Sequence, residues 1–306
     1  MHVFASAMRK TGVQVDLHYL GELNNPRALF RVQRQMPELS VGYDLVHAQF
    51  GSACALATAN AKIPKVLSLR GSDWYYFREK INYQAFHSTV ANAMTRCSVG
   101  DYNSIVVMSN RMRLDVSSKF PGKMIEVIPD PIDLSQFVPI PKEVARSLLG
   151  FPNDSSRWVL FTTLSTENPI KRVSLAKRAV EIANERLGDI RLKVATGLRH
   201  DQMPLFVASC DVVLSTSVYE GWPNCVKEAL ACNIPFVATD VSDLSDISAV
   251  ESSCRICPPD ARALAEGIED ALRSPPVELR RYINEMSLDL SCRKLLMLYD
   301  RAMSNH

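Results

Sequence analysis

The residues of this chain with the clearest chemical potential lie between Ser215 and Cys232. Glu220 and Glu228 stand eight positions apart and flank Gly221-Trp222-Pro223-Asn224-Cys225. Glu220-Gly221 reads as a turn after an apolar strand, and Pro223 suits the first turn of a following helix. The N–H groups near residues 224–226 then point out of the helix start. With the helix dipole they form an anion site whose natural occupant is a diphosphate. Carboxylates on either side of such an anion suit neutral hydroxyls, a sugar ring at Glu220 and a ribose at Glu228. A single acidic residue near a helix start is favoured by the dipole alone, by roughly 0.3–1 kcal/mol. Two of them around a Gly-x-Pro-Asn turn ask for more than that.

A second loop, Thr162 to Arg172, ends in adjacent cations, Lys171 and Arg172, where a helix opens. Cations prefer helix C-termini, so this pair is misplaced unless a polyanion sits nearby; solvated surface charge is the bland alternative. Gly197, after an apolar run ending at Thr196, is placed to face a nucleotide base. His47 closes another apolar run and is either a ligand contact or a satisfied core histidine. Arg70-Gly71-Ser72-Asp73 follows Lys65–Leu69. Cys254-Arg255-Ile256-Cys257 lacks a second Cys or His pair at zinc-ligand spacing, and no Asp-x-Asp occurs, so no metal site is expected. Asp240, Asp243 and Asp246 need only a turn and a helix cap. Arg27, Arg31 and Arg34 recur at helical spacing, as either a solvated face or a face resting on anionic lipid.

These residues need elements to hold them just beyond strand ends. Short apolar runs at Gln14–Leu20, Asp44–Ala48, Lys65–Leu69, Ser104–Met108 and Met124–Ile128 read as strands. They alternate with helical segments at Pro26–Leu39, Ser52–Lys62 and Ile81–Arg96, and Ser109 is set to cap another. After Pro129–Pro141 the rhythm resumes. Strands are expected at Arg157–Leu164, Ile190–Thr196, Asp211–Ser215, Pro235–Thr239 and Cys254–Cys257. Helices are expected at Val173–Leu187, Asp201–Ser209, Asn224–Ala231 and Ala261–Ser274. Strands alternating with helices predict two doubly wound parallel-sheet domains, whose ligand crevices lie beyond the carboxyl ends of the strands.

Composition sets the outer limits. The 306 residues suit about two domains; 47% hydrophobic and 22% charged residues exclude wholesale disorder. The net charge of +2 is too balanced for a dedicated nucleic-acid binder. It divides into 15 Lys+Arg against 11 Asp+Glu in residues 1–140, and 20 against 22 in residues 141–306. No apolar run approaches the ~18 residues of a membrane span. The start, with Ala5-Ser6-Ala7, has neither the basic leader nor the apolar length of a signal peptide. Eight scattered Cys fit free buried thiols. A cytoplasmic protein is expected.

With these residues in view, the chain resembles the retaining glycosyltransferases of the two-domain GT-B fold, family 4 (group 1) above all. Glu220 and Glu228 reproduce that family's Glu-x7-Glu motif. Asp44-Leu45-Val46-His47-Ala48-Gln49-Phe50-Gly51, the Arg70 to Asp73 loop, Val127 to Asp133, Lys171, and Glu220 through Asp240 are also similar to it. The resemblance implies an acceptor-side domain over residues 1–138, a nucleotide-sugar domain over 139–290, and a last helix over 291–306 crossing back to the first. It implies Lys171, Arg172 and the amides near Asn224 on the diphosphate, Glu228 on the ribose, and Glu220 on the donor sugar, with Gly221, Trp222, Pro223, Cys225 and Gly197 lining the donor site. Arg70, Gly71, Asp73 and His47 would stand on the acceptor side. It implies no cofactor beyond a donor substrate such as a UDP- or GDP-sugar, and a glycan or lipid-linked acceptor. Peripheral contact with the inner membrane face would fit such an acceptor.

Three departures from the family stand out. An Arg expected shortly before Lys171 is replaced by Thr166. Arg70 stands where many members carry His, and Arg cannot act as a base. Phe4–Lys10 resembles the family's first helix, so the usual first strand and its Gly-rich turn are missing from the expected pattern. A sugar-nucleotide epimerase of the same fold and a catalytically impaired binding subunit are the alternatives.

Overall fold

The computed structural model describes residues 2–21, 23, 25–76, 83–152 and 154–304, and its chain divides into two compact units. The first takes in Met1–Pro131, Tyr219–Trp222 and Leu288–His306; the second takes in Ile132–Val218 and Pro223–Ser287.

The first unit runs α1 (His2–Arg9), α2 (Pro26–Leu39), β1 (Val46–Ala48), α3 (Ser52–Thr58), β2 (Lys65–Leu69), α4 (Tyr83–Ser98), β3 (Ser104–Val107), α5 (Asn110–Lys119) and β4 (Met124–Val127). Its strands pair in parallel in the order β1-β2-β3-β4. The apolar runs of β2 and β3 are buried, as parallel strands covered on both faces must be. Leu67, Leu69, Ile105 and Val107 pack with Trp74, Tyr102, Met112 and Val116 as the core. Pro26 opens α2 behind the Asn25 cap, and the Ser109 hydroxyl accepts the Met112 amide at the start of α5.

The second unit runs α6 (Lys142–Leu148), β5 (Arg157–Thr162), α7 (Val173–Leu187), β6 (Ile190–Ala195), α8 (Met203–Ala208), β7 (Val212–Ser215), α9 (Asn224–Ala231), β8 (Phe236–Thr239), α10 (Leu244–Ser248), β9 (Arg255–Cys257) and α11 (Ala261–Arg273). Its parallel sheet has the order β6-β5-β7-β8-β9. The order reverses between β5 and β7, and that reversal is a switch point where a crevice opens beyond the carboxyl ends. Val173, Ala176, Val180 and Ala183 recur at helical spacing and bury one face of α7 against Leu264, Ala265 and Ile268 of α11. A final helix, α12 (Leu288–Ser304), packs on α1 and β2 of the first unit.

Several elements match the sequence expectation to the residue: Pro26–Leu39, Lys65–Leu69, Val173–Leu187 and Asn224–Ala231. The start of the expected helix Ile81–Arg96 lies outside the described residues, and α4 is described from Tyr83. The expected strand Gln14–Leu20 is a correction. The segment pairs with no strand among the described residues. Side chains tether it instead: Arg9 Nε donates to the Val15 carbonyl (2.8 Å), and the Tyr43 hydroxyl donates to Asp16 (3.0 Å). Alternation of apolar residues creates a strand only where a neighbouring ladder exists to receive it. The helix expected over Ser52–Lys62 ends at Thr58, whose hydroxyl turns back on the Cys54 carbonyl (2.8 Å).

Candidate functional site

In the second unit the switch point brings together the loops after β5 and β7. Arg172 is the hub. It holds a left-handed backbone (φ 51°) just before α7. Its Nε donates to the Thr216 carbonyl (2.6 Å) and its Nη2 to the Ser217 carbonyl (2.9 Å). The Thr216 hydroxyl returns a bond to the Lys171 carbonyl (2.6 Å), and the Val218 amide donates to Ile170 (2.9 Å). The Thr239 hydroxyl at the end of β8 ties in Ser217 (2.6 Å). Two post-strand loops 44 residues apart are thereby locked together, with Lys171 carried on one of them. The guanidinium of Arg172 thus spends two of its five N–H donors on carbonyls of this crevice.

A cavity of about 420 Å³ opens at the carboxyl ends of β7, β8 and β9. Arg172, Ser217, Thr239 and Asp240 line it, whereas Lys171, Asn224 and Glu228 do not. Pro223 precedes α9 in extended backbone, and its carbonyl accepts the Val226 and Lys227 amides (both 3.2 Å), so the helix opens at exposed Asn224. Cys225 is buried and forms no disulfide. Glu228, one turn further, is half-buried, and burial pushes its carboxyl up to about 7 against the pull of Lys227. It has no hydrogen-bond partner among the described residues. A half-buried carboxylate in that state is an acceptor waiting for hydroxyls. Gly197 follows β6 with φ 67°, and a Cβ there would meet open space.

In the first unit the loops after β1 and β2 carry the residues expected on the acceptor side. Asp73 is fully buried and accepts the amides of Gly51 (2.8 Å), Arg70 (2.8 Å) and Gly71 (2.9 Å). Desolvation raises its pKa against the pull of those amides. It braces the two loops from inside and offers no oxygen to a ligand. Arg70 Nε and Nη2 donate to Gln49 (both 2.7 Å), and Nη1 pairs with Asp130. His47 is engaged through both ring nitrogens. One ring nitrogen meets the Tyr299 hydroxyl of α12 (2.6 Å) and the other meets Ser68 (2.8 Å). Desolvation, helped by Arg70, lowers its pKa to about 3, so the half-buried ring stays neutral.

Tyr219–Trp222 belongs to this unit by its contacts. A Cβ on Gly71 (φ 118°) would lie 2.6 Å from the Gly221 amide nitrogen, and one on Gly221 would fall onto the Arg70 carbonyl. The backbones bearing Arg70 and Glu220 touch because both neighbours are glycine. Tyr219 lies 5.9 Å from Tyr75, ring to ring, and burial pushes its hydroxyl up to about 12. Trp222 is buried. The sequence does not single out Tyr75, Thr216 or Thr239; their signals are only a place in the loop after β2, the first position after β7 and the last of β8. Among the described residues no cluster of His, Cys, Asp and Glu could hold a metal ion.

Residues 4–136 match the model of the family described as Glycosyltransferase Family 4, and residues 168–274 match that of Glycosyl transferases group 1. A putative teichuronic acid biosynthesis glycosyltransferase, TuaC of Bacillus subtilis (strain 168), is 30% identical over 254 residues. The alignment covers 78% of this chain and 63% of TuaC, so the chain spans less than two thirds of that relative. Sucrose-phosphate synthase from Thermosynechococcus elongatus superposes with a TM-score of 0.72 at 17% identity, covering 95% of this chain and 82% of that one. HepE of Anabaena, solved with UDP and glucose, gives 0.67 at 16% identity, covering 96% and 88%. These two likenesses establish the fold, and the two family matches with the TuaC relative establish the kinship. The chain belongs to the group 1, family 4 glycosyltransferases and has their GT-B fold of two parallel-sheet α/β units.

Proposed function

We propose that the chain transfers a sugar from a nucleoside diphosphate sugar to a glycan or lipid-linked acceptor in polysaccharide biosynthesis, with retention at the anomeric carbon and without a metal. The observation that carries this reading is Glu228: a half-buried carboxylate held at about 7, without a partner, one turn into the helix that follows the switch-point strand β7. Ribose hydroxyls would supply its missing donors. Lys171 and the first amides of α9 would hold the diphosphate, and Glu220 the donor sugar. The name of TuaC supports a polysaccharide product, and the UDP and glucose bound to HepE support a nucleotide-sugar donor.

In the proposed reaction the bond from the anomeric carbon to the diphosphate oxygen breaks while the acceptor oxygen bonds to that carbon on the same face. The acceptor's proton passes to the departing diphosphate. The protein stabilises charge growing on that leaving group, work in which losing one fixed donor costs ~10²–10³ in rate. The acceptor's membrane is a second partner in this reading. Arg27, Arg31 and Arg34 are exposed on α2 around Phe30, itself 60% exposed, which suits peripheral contact with anionic lipid. No helix among the described residues is long and apolar enough to cross a membrane.

Purified chain given UDP- and GDP-sugars with glycan acceptors should form product. Lys171→Ala and Glu220→Ala should lower turnover at least 100-fold with far-UV circular dichroism unchanged. Normal turnover in either variant sinks the assignment. Interconversion of free sugar nucleotides without an acceptor would make the chain an epimerase.

A further inference from the structure

The first unit has a second cavity, of about 540 Å³, at the amino ends of β2, β3 and β4. This is the pole of the sheet opposite the loops that carry Arg70 and Gly71; the five residues of β2 separate them by about 17 Å. Lys65, Asp101, Asn103, Gly122 and Lys123 are among its walls. Lys65 Nζ donates to the Ala59 (3.1 Å) and Ala61 (2.9 Å) carbonyls. Lys123 Nζ donates to the Gly100 (2.7 Å) and Tyr102 (2.8 Å) carbonyls.

An ammonium has three N–H donors, so each lysine keeps one that these carbonyls do not use. Neither forms an ion pair among the described residues. Both are half-buried, and desolvation lowers both pKa values; Lys62 and Lys123 lower that of Lys65 further, while Asp101 raises both. Capping the segment after α3 explains one cation. It does not explain two half-buried cations lining one cavity whose single carboxylate, Asp101, is exposed and ion-paired to neither, since buried charges are normally paired.

We propose that this crevice is a binding site for a phosphate-class anion, inorganic phosphate or a small phosphate monoester, held between Lys65 and Lys123 and remote from the transfer machinery. The cavity lies within the size range of small-molecule sites. The assignment does not rest on the glycosyltransfer reading.

The test is titration of the full chain with inorganic phosphate and with glycerol 3-phosphate against chloride at matched ionic strength, read by calorimetry. Saturable binding is expected with both probes, at least 10-fold weaker in Lys123→Met and unchanged in Lys171→Ala. Asp101→Asn, which removes the competing carboxylate, should tighten binding several-fold, and it decides the matter if Lys123→Met fails to fold. Saturation by phosphate alone restricts the site to the free ion and supports it. The proposal is overturned by no binding beyond chloride, by loss in Lys171→Ala rather than Lys123→Met, or by an Asp101→Asn variant that binds no tighter.

Discussion

Glu228 is the side chain on which most depends, and its environment makes a signed prediction. The folded carboxyl titrates at about 7 and its ordinary value is 4.5. Below pH 4.5 it is protonated in both folded and unfolded chains, so burial costs nothing. As pH rises to 7 the unfolded chain ionises freely and the folded chain resists, so stability falls, by up to about 3 kcal/mol at 1.36 kcal/mol per unit. Glu228→Gln should therefore raise the unfolding midpoint at pH 8, leave it unchanged at pH 4, and weaken nucleoside diphosphate binding. Thermal melts at the two pH values with a ligand titration check this; an equal shift at both would remove the electrostatic account. Arg172, Asp73 and His47 show the opposite case. Arg172 commits two of its five N–H donors to the Thr216 and Ser217 carbonyls, Asp73 accepts three loop amides, and the His47 ring nitrogens meet Tyr299 and Ser68.

Among the elements, α2 is the one whose exposed face asks for a partner. Arg34 reaches over the Phe30 ring at 6.0 Å, so charge and aromatic surface occupy one stripe. Each Lys or Arg near an anionic surface contributes about 1 kcal/mol, and salt screens it. Replacing Arg27, Arg31 and Arg34 together by Glu should abolish co-sedimentation with phosphatidylserine vesicles at low salt, and Phe30→Ala should weaken it several-fold. Wild-type protein that stays in the supernatant at low salt would leave the stripe a solvated face. Element boundaries were legible wherever a local signal set them. Pro26 behind Asn25 opens α2, Ser109 caps α5, and Pro223 precedes α9. Gln14–Leu20 departs from its strand pattern because pairing depends on a neighbour that no local signal encodes.

For the whole molecule, each unit carries its own hydrophobic cluster, Val159, Phe161 and Leu214 with α7 and α11 in one, Leu67, Leu69, Ile105 and Val107 with Trp74 in the other. The residues proposed to grip the nucleotide, Lys171, Asn224 and Glu228, all belong to the second. A nucleoside diphosphate at 100 times its dissociation constant stabilises the unit that binds it by ~2.7 kcal/mol. Differential scanning calorimetry should thus show a component of the endotherm that UDP or GDP moves upward, and Lys171→Ala should abolish the shift. A shift that persists in Lys171→Ala would place the nucleotide elsewhere.

The sequence by itself determined the α/β alternation, the parallel sheets and the Glu220–Glu228 pair around a helix start, because apolar period, turn residues and caps are local properties. The tertiary structure alone decided the strand order that puts the switch point between β5 and β7. It also decided which candidates remain available: Glu228 is left without a partner, while Arg172 spends two donors on a loop 44 residues away. The partners that satisfy or spare a polar group come from distant segments, and only folding brings them within hydrogen-bond reach.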